Sequence, residues 1–133
     1  MSFGNDLRRI SQKWSGQSEQ FIRGVEIKLF SAVILDTPVD TGRARGNWQA
    51  SIGQPVENTL DRLDPGGSAA IGAMTGLVLT LRGGRVTFLA NNLPYAERLE
   101  NGWSQQAPAG MVRKNAARFQ RLVSAELQKH PLL

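Results

Sequence analysis

The chain has 133 residues, 41% hydrophobic and 20% charged, the composition of a folded globular protein with one core, which excludes a disordered or fibrous chain. It contains no cysteine, so disulfide frameworks, thiolate nucleophiles and thiolate metal sites are excluded as well. The net charge of +5 is concentrated at the end, where Arg113, Lys114, Arg118, Arg121 and Lys129 stand against the one acid Glu126. Such a field suits nucleic acid or an acidic protein surface, and equally a solvated helix face.

One domain over 1–133 is expected. Met1 to Arg9 has no apolar stretch behind its charges and does not read as a secretory signal. Asn5 is placed to cap a helix over about Asp6 to Asp36, in which Leu7, Ile10, Trp14, Phe21, Val25, Leu29 and Ala32 recur at helical spacing. Gly16 and Gly24 weaken that helix locally, and Thr37-Pro38 ends it, because the residue before proline is driven out of the helical region. Thr37 to Arg43 reads as a turn leading into a strand over Asn47 to Ile52, followed by a long, exposed and flexible loop over Gln54 to Gly67.

Pro65 to Leu81 is uncharged, but it is too short to span a bilayer and opens on a loop and helix cap, so it is read as a buried core helix. A turn at Arg82 to Arg85 precedes a buried strand over Val86 to Ala90, and Asn91 to Pro94 breaks it. A short helix over Tyr95 to Asn101 stops at Gly102, and a second loop runs from Trp103 to Pro108. The closing helix, Gly110 to Lys129, places Val112, Ala116, Phe119, Val123 and Leu127 on one stripe with Lys114, Arg118 and Arg121 outside it, and Pro131 terminates it. The expected class is α+β: long N- and C-terminal helices packed on a small β-sheet, with a middle helix and long loops.

Three kinds of chemistry compete with plainer readings of the same residues. Asp40-Thr41-Gly42 carries the tripeptide of aspartic proteases, but those enzymes need two carboxylates sharing a proton, and Arg43 would hold Asp40 ionised. The plainer reading is an Asp-Gly turn in which Asp40 accepts backbone hydrogen bonds. The single histidine, His130, precedes a proline near the end, and the pairs Asp36/Asp40 and Asp61/Asp64 suit turns and caps better than a cation site. Gly66-Gly67, Gly72 to Gly76 and Gly83-Gly84 match no phosphate-binding fingerprint. No metal, cofactor or small-molecule substrate is expected. Of the tryptophans, Trp14 lies on an apolar stripe and reads as core, whereas Trp103 beside Gly102 is the best surface anchor.

Two stretches carry a resemblance. Thr37 to Trp48, TPVDTGRARGNW, resembles a TPVDTGRLRNSW signature, and Asn91 to Val112, NNLPYAERLENGWSQQAPAGMV, resembles NNxPYAxxLExGxSxQAPxGMV. Both belong to the tail-component family of lambdoid siphophages, and they occur in the expected order between an N-terminal and a C-terminal helix. Departures are Ala44 where leucine is common and Asn101 where tyrosine or phenylalanine is common.

The resemblance implies a virion structural protein and not an enzyme. Its role would be tail completion, like that of minor tail protein Z of lambda or of tail-terminator subunits, at the neck or upper tail, assembled in the host cytoplasm. It implies a homo-oligomeric ring, with six-fold symmetry as the expected count, in contact with neighbouring neck, tail-terminator or tail-tube proteins. Ring closure needs two different patches on each subunit. For these, Asp40, Thr41, Gly42, Arg43 and Trp48 are candidates from the first stretch, and Tyr95, Glu100, Gly102, Trp103 and Pro108 from the second. Arg113, Lys114, Arg118 and Arg121 are candidates to face passing DNA through non-specific phosphate contacts. The competing reading is a free, non-specific nucleic-acid-binding protein, which lacks a recognisable recognition motif.

Overall fold

In the computed structural model, which describes residues 3–82 and 85–129 with side chains from 19 onward, the chain begins with helix α1, Phe3–Leu35. Asn5 lies inside this helix and not at its cap. The side chains of Asn5, Leu7, Ile10 and Trp14, and all of Gly83, Gly84, His130 and Pro131, lie outside the described residues. The helix stops before Thr37-Pro38, as the proline requires. Its last carbonyls, left without intrahelical donors, are met from elsewhere. The Arg45 guanidinium donates to Leu35 O at 2.7 Å and to Thr37 O at 3.1 Å, and it reaches Pro65 O at 2.6 Å.

A short helix α2, Arg43–Gly46, which the turn chemistry did not announce, leads into strand β1, Trp48–Ile52. Helix α3, Ser68–Val78, follows, then strand β2, Thr87–Asn91, and the helices α4, Ala96–Glu100, α5, Val112–Ala117, and α6, Phe119–Lys129. The class is α+β. The two strands pair antiparallel with Trp48 opposite Asn91, Ala50 opposite Leu89 and Ile52 opposite Thr87, so α3 is an excursion between the arms of one ribbon.

A two-stranded ribbon is marginal alone and needs a helix against it. Here α3 supplies it: α3 packs on β1 and on α1, and α5 and α6 pack on α1. Ala70, Met74 and Val78, four residues apart, form the buried face of α3 and meet Val33 and Ile34 of α1, Trp48 of β1, Ala107 and Met111. Burial of each large member stabilises the fold by about 1.5–3 kcal/mol. The uncharged segment is therefore the core helix expected of it. No described helix is long and apolar enough to cross a membrane.

Three expectations need correction. The loop over 54–67 has no helix or strand, but it is pinned. Asn47, fully buried, donates to Arg43 O and Leu60 O and accepts from Leu60 N. Arg62 Nε donates to Gly46 O, and buried Asp64 accepts from Ala70 N at 2.8 Å, capping α3 from outside it. Strand β2 is half-buried along its length and not buried, because an edge strand of a two-stranded ribbon has one face and one edge uncovered. The closing helix is broken at Arg118 into α5 and α6. Its stripe is largely open too: Val112, Phe119 and Leu127 are exposed, Ala116 also, while Asn115 and Glu126 are buried. Both buried polar groups are held by partners, Asn115 by Asp36 Oδ2 and Met111 O, and Glu126 by Lys28 Nζ at 2.9 Å. Glu126 of α6 packs directly on Gly24, where a Cβ would run into its carboxylate.

Candidate interaction cleft

The two signature-like stretches, remote in sequence, meet in space. Pro38 to Ala44 forms one wall of a cleft of about 460 Å³, and Tyr95, Leu99, Trp103, Ser104 and Gln106 form the other. They are stitched together by one side chain acting as a strand would: Gln106 Oε1 accepts from Val39 N at 2.8 Å and Gln106 Nε2 donates to Val39 O at 3.1 Å.

The residues of both stretches divide into those that build the cleft and those that line its rim. Among the builders, Trp48 is only 6% exposed. Its indole Nε1 donates to Thr37 Oγ1 at 2.7 Å, and that hydroxyl donates to Val33 O at the end of α1. This corrects the placement of Trp48 among surface contacts: its ring fills the chain's own core. Gly42 is also inward. At φ +89° it packs on the Asp64–Pro65 peptide with no room for a Cβ, and Gly42 O accepts from Asp64 N.

Glu100 is likewise a builder. Its Oε1 accepts from Met111 N and Val112 N, both at 2.8 Å, and its Oε2 accepts from Arg113 N at 2.9 Å and pairs with Arg113 Nε at 3.2 Å. It thus caps α5 from a distant position in the chain, satisfying donors that a helix start leaves open. Burial alone would raise its pKa. The backbone donors of Arg113, Val112 and Met111 together with the Arg113 side chain outweigh that effect, holding Glu100 below the usual carboxylate value. Gly102, at φ +85°, lies against Pro108 O, closing the loop between them. Asn91 Nδ2 donates to Ala44 O, and Asn92 Nδ2 to Val56 O and Asn58 O, so this asparagine pair ties the second stretch to the first and to the 54–67 loop.

The rim is different. Asp40, Thr41, Arg43, Tyr95, Trp103, Gln106 and Pro108 are exposed, Trp103 at 74%. Arg98 lies over the Trp103 ring, 5.3 Å from its centroid. Asp40 does not accept the backbone hydrogen bonds expected of it. Among the described residues the turn is closed instead by Thr41 Oγ1, which accepts from Arg43 N at 3.3 Å. One carboxylate of each acidic pair is engaged within the fold: Asp36 accepts from Asn115 and lies 3.6 Å from Lys114 Nζ, and Asp64 caps α3. No group of three or more metal-ligating side chains occurs among the described residues.

Of the four basic residues assigned to DNA, Arg113 is paired with Glu100 and Lys114 with Asp36, leaving Arg118 and Arg121, exposed and without an ion pair among the described residues, beside a shallow hollow at the start of α6. The local pattern gave no warning of Asn47, Arg45, Arg62 or Gln106. Their signal was negative: polar side chains, Asn47, Arg45 and Gln106 inside the two stretches and Arg62 in the loop between them, that turn chemistry leaves without a task. No family model, curated protein or solved structure matches the chain.

Proposed function

We propose that this chain is a structural subunit of a tailed bacteriophage, a tail-completion or neck protein that forms a ring at the head–tail junction and has no enzymatic role. One observation carries the reading. The two stretches that resemble the tail-component signatures converge on one cleft, with buried members that build it and exposed members, Asp40, Tyr95 and Trp103 among them, that line its rim. A surface of that kind, with an exposed tryptophan braced by an arginine and polar groups around it, has the composition of an interface hot spot. Asp40, Thr41, Arg43, Tyr95, Trp103 and Pro108 then touch the neighbouring subunit or the adjacent ring. Arg118 and Arg121 give phosphate contacts to passing DNA, with Arg113 and Lys114 occupied in the fold.

The test is electron microscopy of virions labelled with an antibody to this protein. Label at the neck or upper tail is the expected result, and label absent from virions overturns the reading in favour of a free nucleic-acid-binding protein. Within the ring, Trp103→Ala is expected to weaken assembly at least ten-fold while leaving the subunit's melting temperature within about 2 °C, because the ring is exposed and its loop is closed by other groups.

A further inference from the structure

Away from the cleft, α1, α6 and the start of β2 enclose a groove of about 370 Å³ whose walls are apolar: Phe21, Ile22, Val25, Leu29 and Phe30 on one side, Phe119 and Val123 on the other. Ile22 and Phe119 remain 44% and 46% exposed, so the apolar surface is open and contiguous, the mark of a surface that a partner covers. Two groups in it are not apolar. Glu26 reaches the groove beside Thr87, and Glu26 Oε2 and Thr87 Oγ1 are both buried with no partner beyond each other among the described residues. A buried carboxylate oxygen left in that state calls for a cationic or N–H donor from whatever fills the groove.

We propose that the groove receives the first four turns of α1, Phe3 to Ser18, from a second copy of this chain. The chemistry matches: in sequence this segment carries Leu7, Ile10 and Trp14 at helical spacing, with Arg8, Arg9 and Lys13 between them, an apolar and basic complement to an apolar groove with one acid. Geometry makes the contact intermolecular. The segment and the groove wall are parts of one uninterrupted helix, Phe3–Leu35, and at 1.5 Å per residue Ile10 stands about 16 Å along the axis from Phe21. A helix cannot fold back on itself, so no chain fills its own groove in this way. Segment to groove is also a contact between two different patches, which closes a ring and not only a pair. The proposal deepens the ring reading and rests on it only for the presence of a second copy.

The absence of native cysteine makes the test clean. Full-length double variants, Leu7→Cys with Val123→Cys and Ile10→Cys with Val123→Cys, are oxidised at concentrations where the wild type self-associates by sedimentation. A disulfide needs Cα atoms within about 7 Å, so bridging inside one chain is excluded by the helix axis. The expected result is a ladder of covalent multimers from the double variants and at most dimers from each single variant. In parallel, Glu26→Gln is expected to weaken wild-type self-association at least five-fold without lowering the melting temperature. A wild type that stays monomeric, double variants that give no ladder, or association indifferent to Glu26→Gln each overturn the proposal. Neck label in virions with no ladder removes the groove contact alone. A ladder with no label removes the phage reading and leaves the groove contact standing.

Discussion

The cleft and the groove are held by different forces. At the cleft, hydrogen bonds from particular side chains to remote backbone fix the walls: Gln106 to Val39, Asn91 to Ala44, Glu100 to the start of α5. At the groove, α1 and α6 are joined by the Lys28–Glu126 ion pair and apolar contact, and the buried Glu26 carboxylate has no partner beyond the Thr87 hydroxyl among the described residues. A polar framework has one correct residue at each point, since removing it strands a partner. An apolar wall tolerates many side chains of similar volume. The first kind of region leaves a motif in the sequence; the second leaves only a period.

The sharpest way to break this contrast is to remove the residue that serves most backbone donors. Glu100→Ala is expected to cost about 2–4 kcal/mol, because three N–H groups and Arg113 lose their acceptor, and to appear as the largest fall in melting temperature. The sign with pH follows from the lowered pKa. Glu100 contributes stability above its unfolded value near about 4.3, and the contribution disappears as pH falls through the lower folded value. A melting temperature insensitive to Glu100→Ala at pH 7 would remove the polar-framework account.

Next in size is Trp48→Phe, expected to cost about 1–2 kcal/mol by denaturant unfolding. It deletes the donor to Thr37 while keeping most of the ring's apolar volume. Asp64→Ala, which uncaps α3, is expected to cost about 1 kcal/mol by the same measurement.

The groove residue Glu26 moves the other way. Burial raises its pKa above the ordinary carboxylate value, with the Thr87 hydroxyl opposing, so stability falls as pH rises from the unfolded value near about 4.3 through the raised folded value, above which the loss is complete. Glu26→Gln is therefore expected to raise the melting temperature of the subunit at pH 7–8, with the difference shrinking as pH falls toward about 4, where the carboxyl is neutral in both states. Smallest of all, Arg118→Ala with Arg121→Ala is expected to shift stability by under about 0.5 kcal/mol, since both are exposed.

How much of this could be read beforehand follows the same division. The α+β class, α1 and its stop at proline, the core helix, both strands and the Gly102 stop are set by short-range periodicity, proline and glycine, and they were legible. The break at Arg118 was not, because the apolar stripe crosses it without a proline or glycine to mark it. Nor was the inward placement of Trp48, since an alternating strand assigns a residue to a face but does not say which face is covered. The cleft was half legible. Both stretches stood out, but that Gln106 would act as a strand partner to Val39 depends on a contact 67 residues apart, which no local pattern encodes.

The loop that presents Trp103 is already closed on folding. Gly102 against Pro108 O, Trp103 N bonded to Arg98 O, Ala107 N to Ser104 O, and the Gln106–Val39 pair fix its two ends and its middle before any partner arrives. Ordering a free loop on association typically takes away a large share of what its contacts provide. A tryptophan held on such a frame loses little freedom when it is covered, so in a ring of the kind proposed a modest contact area is enough for tight association.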